Sequence, residues 1–123
     1  MPLKDVADRL VAHCRANTTY DGLKELYAAD AVSVEAGMPP GRDREAKGID
    51  AIRGKHEWWD ATMEVHSVKV SDAMLHPDDR FAVIFEMDAT DKEKGERMQM
   101  MEIGLYTVGN DKIVREEFFY PLG

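Results

Sequence analysis

Only one cysteine, Cys14, occurs in the chain, so no intramolecular disulfide can form and a packed core has to hold the fold. That scarcity fits a reducing compartment. The N-terminal stretch MPLKDVADRL carries charge every few residues and contains no apolar signal core, so a cytoplasmic location is expected. No run approaches the roughly 20 apolar residues that cross a bilayer. Basic clusters are missing as well: the formal net charge is −8, a field that repels phosphate backbones and anionic lipid, so neither nucleic acid nor membrane is expected as a partner. The glycines make no phosphate cradle, since GMPPG is no P-loop and no G-x-G-x-x-G occurs. HEWWD lacks the second histidine of a zinc-binding H-E-x-x-H, and no cysteine or histidine cluster accompanies it, so no metal is expected. Nor is an organic cofactor implied.

What the chain does have is 123 residues, 44% of them hydrophobic, which suits a single domain over residues 1–123 with one core. Leu3, Val6, Leu10 and Cys14 recur at spacings of three and four and predict an amphipathic helix over residues 3–16. After NTTYDG, the residues Leu23, Leu26 and Tyr27 suggest a shorter helix ending near Ala29. AVSVEA, residues 31–36, alternates as a strand with Ser33 and Glu35 opposite Val32 and Val34. GMPPGRDREAKG reads as an exposed loop. Ile49, Ile52, His56 and Trp59 mark a third helix over residues 49–61. Strands are expected over residues 65–75, 81–90, 96–108 and 112–120, separated by the turns HPDD, DKEKG and GND. Helices first and an antiparallel meander after them give an α+β pattern.

The last strand poses the central question. In KIVREEFFYP, Val114, Glu116, Phe118 and Tyr120 share one face, while Ile113, Arg115, Glu117 and Phe119 share the other. If Thr90 pairs with Glu96 and the final turn centres on Asn110 and Asp111, one sheet face collects Phe81, Val83, Phe85, Met87, Gln99, Met101, Ile103, Leu105, Val114, Glu116, Phe118 and Tyr120. That face is almost wholly apolar, with Gln99 and Glu116 as the polar exceptions. The opposite face then carries Met98, Met100, Tyr106 and Phe119 among charged residues.

LYAADAVSVEAG, the GIDAI opening of the third helix and the hairpin ending in GNDKIVREEFFY resemble the SnoaL-like domain, of the nuclear-transport-factor-like and ketosteroid isomerase-like superfamily. The likeness covers residues 20–120. It implies a cone-shaped, cystatin-like α+β barrel, with the N-terminal helices packed in the concave face of a strongly curved antiparallel sheet around an apolar cavity. It also implies a homodimer through the outer sheet face. Aligned on LYAADAVSVEA, Glu35 stands where steroid isomerases carry a general base. The positions of their oxyanion-stabilising tyrosine and acid fall on Val11 and Ile103, neither of which can donate a hydrogen bond.

The candidate catalytic residues are therefore Glu35, Glu116 and His56, with Trp59, Phe85, Met87, Gln99, Met101, Ile103, Phe118 and Tyr120 lining a ligand pocket. Glu116 in an apolar hollow would lose hydration, which favours the neutral form and suits proton transfer. The competing account makes it a structural polar group bonded to Gln99, Tyr120 or a helix residue. Two functions stay open: acid–base chemistry on a small apolar metabolite (isomerisation, cyclisation or hydration), or a non-catalytic binding or dimerisation module. The loop over residues 37–48 could cover the mouth.

Overall fold

In the computed structural model of the protein, which describes residues 1–122, the first helix α1 spans Leu3–Ala16 and buries Val6, Ala7, Leu10 and Val11. It stops at Asn17, whose φ of 57° is left-handed; asparagine is one of the few non-glycine residues that adopts this conformation readily. The helix α2 (Thr19–Leu26) turns back at once and inserts Leu23 and Leu26 into the core. The chain then becomes extended at Tyr27, earlier than the expected strand start, giving β1 (Tyr27–Val34). The expected exposed loop contains a three-residue strand, β2 (Glu45–Lys47), antiparallel to β1, and α3 follows over Ile49–Thr62.

The remainder is β3 (Met63–Val70), β4 (Met74–His76), β5 (Arg80–Asp91), β6 (Glu96–Gly109) and β7 (Lys112–Phe119). The single strand expected over residues 65–75 is therefore two. The ladder to β5 ends at Ser71, whose hydroxyl oxygen accepts the Ile84 N–H at 2.8 Å in place of a backbone carbonyl. The strand order is β2-β1-β7-β6-β5-β3, with β4 also on β5. The meander β5–β6–β7 is antiparallel as expected. However, β1 runs parallel to β7, so the α+β sheet is mixed and does not close into a barrel. The chain returns to β1 only after crossing α3 and the meander, and that crossover is what a parallel neighbour requires.

Register decides which residues share the helix-covered inner face. Asp91 pairs with Glu96 across a four-residue turn whose Gly95 has a φ of 70°; Thr90 therefore pairs with Arg97 and not with Glu96. Phe85 then lies opposite Glu102 and Met87 opposite Met100. The final turn does centre on Asn110 and Asp111, both at positive φ, but β7 carries one extra residue, Val114, between the Val108–Ile113 and Thr107–Arg115 pairs. That bulge shifts the register again, so Tyr106 pairs with Glu116 and Gly104 with Phe118.

The inner face thus presents Phe81, Val83, Phe85 and Met87 from β5, Glu102, Gly104 and Tyr106 from β6, and Ile113, Glu116 and Phe118 from β7. Gln99, Met101, Ile103 and Leu105 point the other way, and Met101 and Ile103 are exposed. Tyr106, expected outside, is buried and stacks on Phe81 at 4.8 Å between ring centres, with Phe118 edge-on at 6.3 Å. Helices α1 and α2 complete this core with Val6, Leu10, Leu23 and Leu26. No helix among the described residues is long and apolar enough to cross a membrane.

Candidate functional site

Strand β1 places Ser33 directly across the parallel ladder from Glu116. Glu116 is 2% exposed, and both of its carboxylate oxygens accept hydrogen bonds: Tyr27 donates its hydroxyl to Oε1, and Ser33 donates to Oε2 at 2.8 Å. A carboxylate withdrawn from water persists only with such partners. The partners are Tyr27 and Ser33, not Gln99, which lies on the opposite face, or Tyr120, which bonds elsewhere. Burial, reinforced by the Glu116 charge, holds the Tyr27 phenol well above its ordinary value, so it remains a donor.

The network continues outward. Lys55, on α3, donates to the Ser33 oxygen at 2.7 Å and pairs with Glu35 Oε1 at 2.7 Å. Tyr120 donates to Glu35 Oε2 at 3.0 Å, and its hydroxyl also contacts the Gly37 backbone. The polar chain thus runs Tyr27–Glu116–Ser33–Lys55–Glu35–Tyr120, from sealed interior to open rim. The Lys55 and Glu35 side chains are 24% and 21% exposed, so they can be reached from solvent, whereas Glu116 cannot. Lys55 escaped the sequence reading, although it sits three residues after the fully buried Ile52 and hence on the same side of α3.

Glu102 also escaped it. The strand position opposite Phe85 on the inner face belongs to Glu102, whereas Ile103, read as the acid's replacement, faces out. Glu102 is half-buried, and among the described residues no hydrogen bond or ion pair engages its carboxyl group. Burial, aided by the charges of Glu35 and Glu116 and opposed by Lys55, pushes it up to about 7. A carboxyl group so poised can give or take a proton near neutral pH.

His56 is half-buried on α3, with the Tyr20 ring edge-on at 6.1 Å, and desolvation lowers its imidazole below the ordinary value. Trp59 is half-buried one turn further on. Phe85, Met87 and Phe118 share the inner face with Glu102, and the Phe118 ring lies 5.4 Å from the Lys55 ammonium. Of the expected pocket, Gln99, Met101 and Ile103 do not join these residues, because the one-residue difference at the β5–β6 turn inverts their strand. His66 likewise faces out and meets Thr90 at 2.7 Å. Cys14 is half-buried, its thiol pushed up to about 12 by burial, which suits a packing residue and not a nucleophile. Gly37, at the start of the loop expected to act as a cover, is held to Tyr120, and β2 ties the loop's far end to β1.

Two surface depressions, of about 470 and 410 Å³, are lined by none of the side chains of this network. The first is lined by Arg42, Arg44 and Arg115 with Asp43, Glu45 and Glu117, so its charges balance. The second runs between α1 and the region of β4. Among the described residues no group of three or more His, Cys, Asp or Glu side chains is placed to hold a metal ion.

The chain matches the SnoaL-like domain model over residues 1–120. A solved structure from Mesorhizobium loti, named as a SnoaL-like polyketide cyclase and also as a carbohydrate phosphatase, is 34% identical with a TM-score of 0.90, over 98% of this chain and 100% of that one. A structure named as an isomerase, from Bacillus subtilis, is 17% identical with a TM-score of 0.81, over 98% and 90% of the two chains. A protein from Catenulispora acidiphila with a ketosteroid isomerase-like fold, solved with trimethylamine, is 20% identical with a TM-score of 0.73, over 99% and 88%. The latter two show a shared fold alone. No curated protein matches the chain.

Proposed function

The chain belongs to the SnoaL-like domain family, and on that premise we propose that its inner sheet face binds a small, largely apolar molecule and moves a proton on it, with Glu102 and Glu35 as the proton carriers. Isomerisation, cyclisation and hydration all fit such a pair. The observation that carries this reading is the Glu102 carboxyl group: it faces inward, no partner among the described residues engages it, and burial raises it to about 7. Glu35 sits across the rim, already ion-paired to Lys55, so the two carboxyl groups occupy different surroundings and can divide acid and base roles. Glu116, sealed and doubly bonded, holds the network together and does not touch the ligand. Phe85, Met87 and Phe118 supply apolar contact, and His56, neutral by desolvation, stands by on α3.

A second reading, a binding module without catalysis, is favoured by Val11, a buried aliphatic residue on α1 where the family resemblance would place a tyrosine donor. Native mass spectrometry of gently purified protein tests for a bound metabolite. Following the Glu102 carboxyl carbon through a pH titration tests the catalytic reading. A midpoint in the ordinary carboxylate range removes its basis.

We further propose a homodimer through the outer face. Ile84, Ile103 and Phe119 stand in register across β5, β6 and β7 there, beside Met101 and Leu105. Arg97–Asp88 and Arg115–Glu117 pairs flank this stripe, the mixed-charge rim of a self-complementary patch.

A further inference from the structure

Tyr120 carries a single hydroxyl proton, yet two acceptors stand within its reach: Glu35 Oε2 at 3.0 Å and the Gly37 backbone oxygen at 3.1 Å. A phenol has one O–H to donate and turns it to suit its surroundings. Burial raises the phenol above its ordinary value, so the proton stays on at neutral pH. Whichever acceptor receives it, the other is left to a different donor. The same hydroxyl oxygen accepts the Gly37 N–H at 3.3 Å. Tyr120 therefore holds Gly37 by one bond in the first arrangement and by two in the second.

The segment that follows Gly37 is stiff at its tip and fixed at its far end. Pro39 to Arg42 form a tight turn with the features of type II: proline second, Gly41 third at a φ of 84°, and the Arg42 N–H donated to the Pro39 oxygen at 3.1 Å. Beyond it Arg44 is tied twice to Glu35, through the Glu35 N–H to the Arg44 oxygen and the Arg44 Nε–H to the Glu35 oxygen, each at 2.9 Å. At the near end, residues 36–38, the Tyr120 hydroxyl makes the only hydrogen bonds among the described residues. Leu122 lies against Gly37, where an added Cβ would stand 2.9 Å from its methyl carbon. One hydroxyl group thus controls the one loosely tied corner of the loop.

We propose that the Tyr120 proton is a two-position switch: a donor group of a ligand that occupies Glu35 Oε2 sends it to the Gly37 carbonyl, and residues 37–43 are then held at the rim by two bonds instead of one. The loop closes because Glu35 is occupied. By linkage, whatever tightens Gly37 also frees Glu35 Oε2 to receive the ligand. The response to a ligand rests on the role proposed above for Glu35, whereas the proton switch itself operates in the free protein.

Removing the competing carboxylate imitates its occupation, so NMR of the full isotope-labelled chain tests the switch without a ligand. In Glu35→Ala the Gly37 carbonyl carbon should move downfield, as a carbonyl does on gaining a full-time donor, and the Gly37 amide should exchange about threefold more slowly. Tyr120→Phe should move that carbonyl upfield and speed the exchange by about fivefold. The double variant should match Tyr120→Phe alone, because Glu35 acts on Gly37 only through the hydroxyl. A merely structural Glu35 gives the opposite sign, since losing a rim contact loosens its neighbours. Glu35→Leu, which keeps the bulk, supplies the reading should the alanine variant unfold. Faster Gly37 exchange in a folded Glu35 variant overturns the proposal, as does a Gly37 carbonyl that Tyr120→Phe leaves unmoved. Either failure leaves Glu102 and the inner-face site standing; an ordinary Glu102 midpoint removes that function and leaves the switch readable.

Discussion

Ser33 and Glu116 face each other across the parallel pair of β1 and β7, and the Ser33 hydroxyl donates to the Glu116 carboxylate while accepting from Lys55. One oxygen atom thereby links a sealed carboxylate to an accessible ammonium. Two strands far apart in sequence, and one helix, must all be in place for that oxygen to be satisfied.

Glu116→Gln should therefore destabilise the fold, because an amide NH₂ would confront the Tyr27 and Ser33 donors with a third donor. The expected loss is about 1–3 kcal/mol in chemical denaturation, with Ser33→Ala losing a similar or smaller amount. A glutamine variant more stable than the parent would show that the carboxylate is strained instead of satisfied.

Glu102 should make stability depend on pH in the opposite sense to an ordinary paired carboxylate. Its folded-state value is raised from about 4.5 to about 7, so the native state keeps a proton that the unfolded chain has already released. The linked stability is complete below the unfolded value and is lost as pH rises through about 7, a span on the order of 3 kcal/mol. Glu102→Gln, which stays neutral, should escape this loss and overtake the wild type in urea midpoint from about pH 5 to about pH 8. Parallel curves for the two proteins would mean that the carboxyl group titrates as it does in water.

Gly104 should not tolerate alanine. A Cβ there would stand 2.8 Å from the Tyr106 ring, which is pinned between Phe81 and Phe118 and cannot swing away. Overpacking of this kind costs about 1–3 kcal/mol, and a lowered melting temperature in Gly104→Ala would register it.

Ile103→Glu tests the dimer. On the outer face an added charge leaves the core untouched, so the monomer should keep its far-ultraviolet spectrum while sedimentation shifts from dimer to monomer. A wild type that already sediments as a monomer at micromolar concentration removes the proposed interface.

The placement of Glu116 shows how residue patterns and tertiary structure divide the work. Its inward direction is legible in the alternation of β7, yet the registers of β5 with β6 and of β6 with β7 each differ by one residue from those the turns suggest. The turn between β5 and β6 holds four residues and not five, which inverts β6; the Val114 bulge then inverts β7 relative to β6. The two shifts cancel at β7 and leave Glu116 correctly placed. They do not cancel at β6, where Gln99, Met101 and Ile103 took the places that belong to Met100, Glu102 and Gly104. Side chains alternate with a period of two, so a one-residue difference exchanges both faces of a strand.

Residue pattern by itself determined α1 and α3, the β-rich second half, the final turn and the family likeness, because hydrophobic spacing and turn chemistry are local properties. Tertiary structure alone decided the parallel pairing of β1 with β7, the meeting of Tyr27, Ser33 and Lys55 around Glu116, and the inward carboxyl of Glu102. Each depends on which residue stands opposite which across a ladder between distant segments, and no local pattern encodes that pairing.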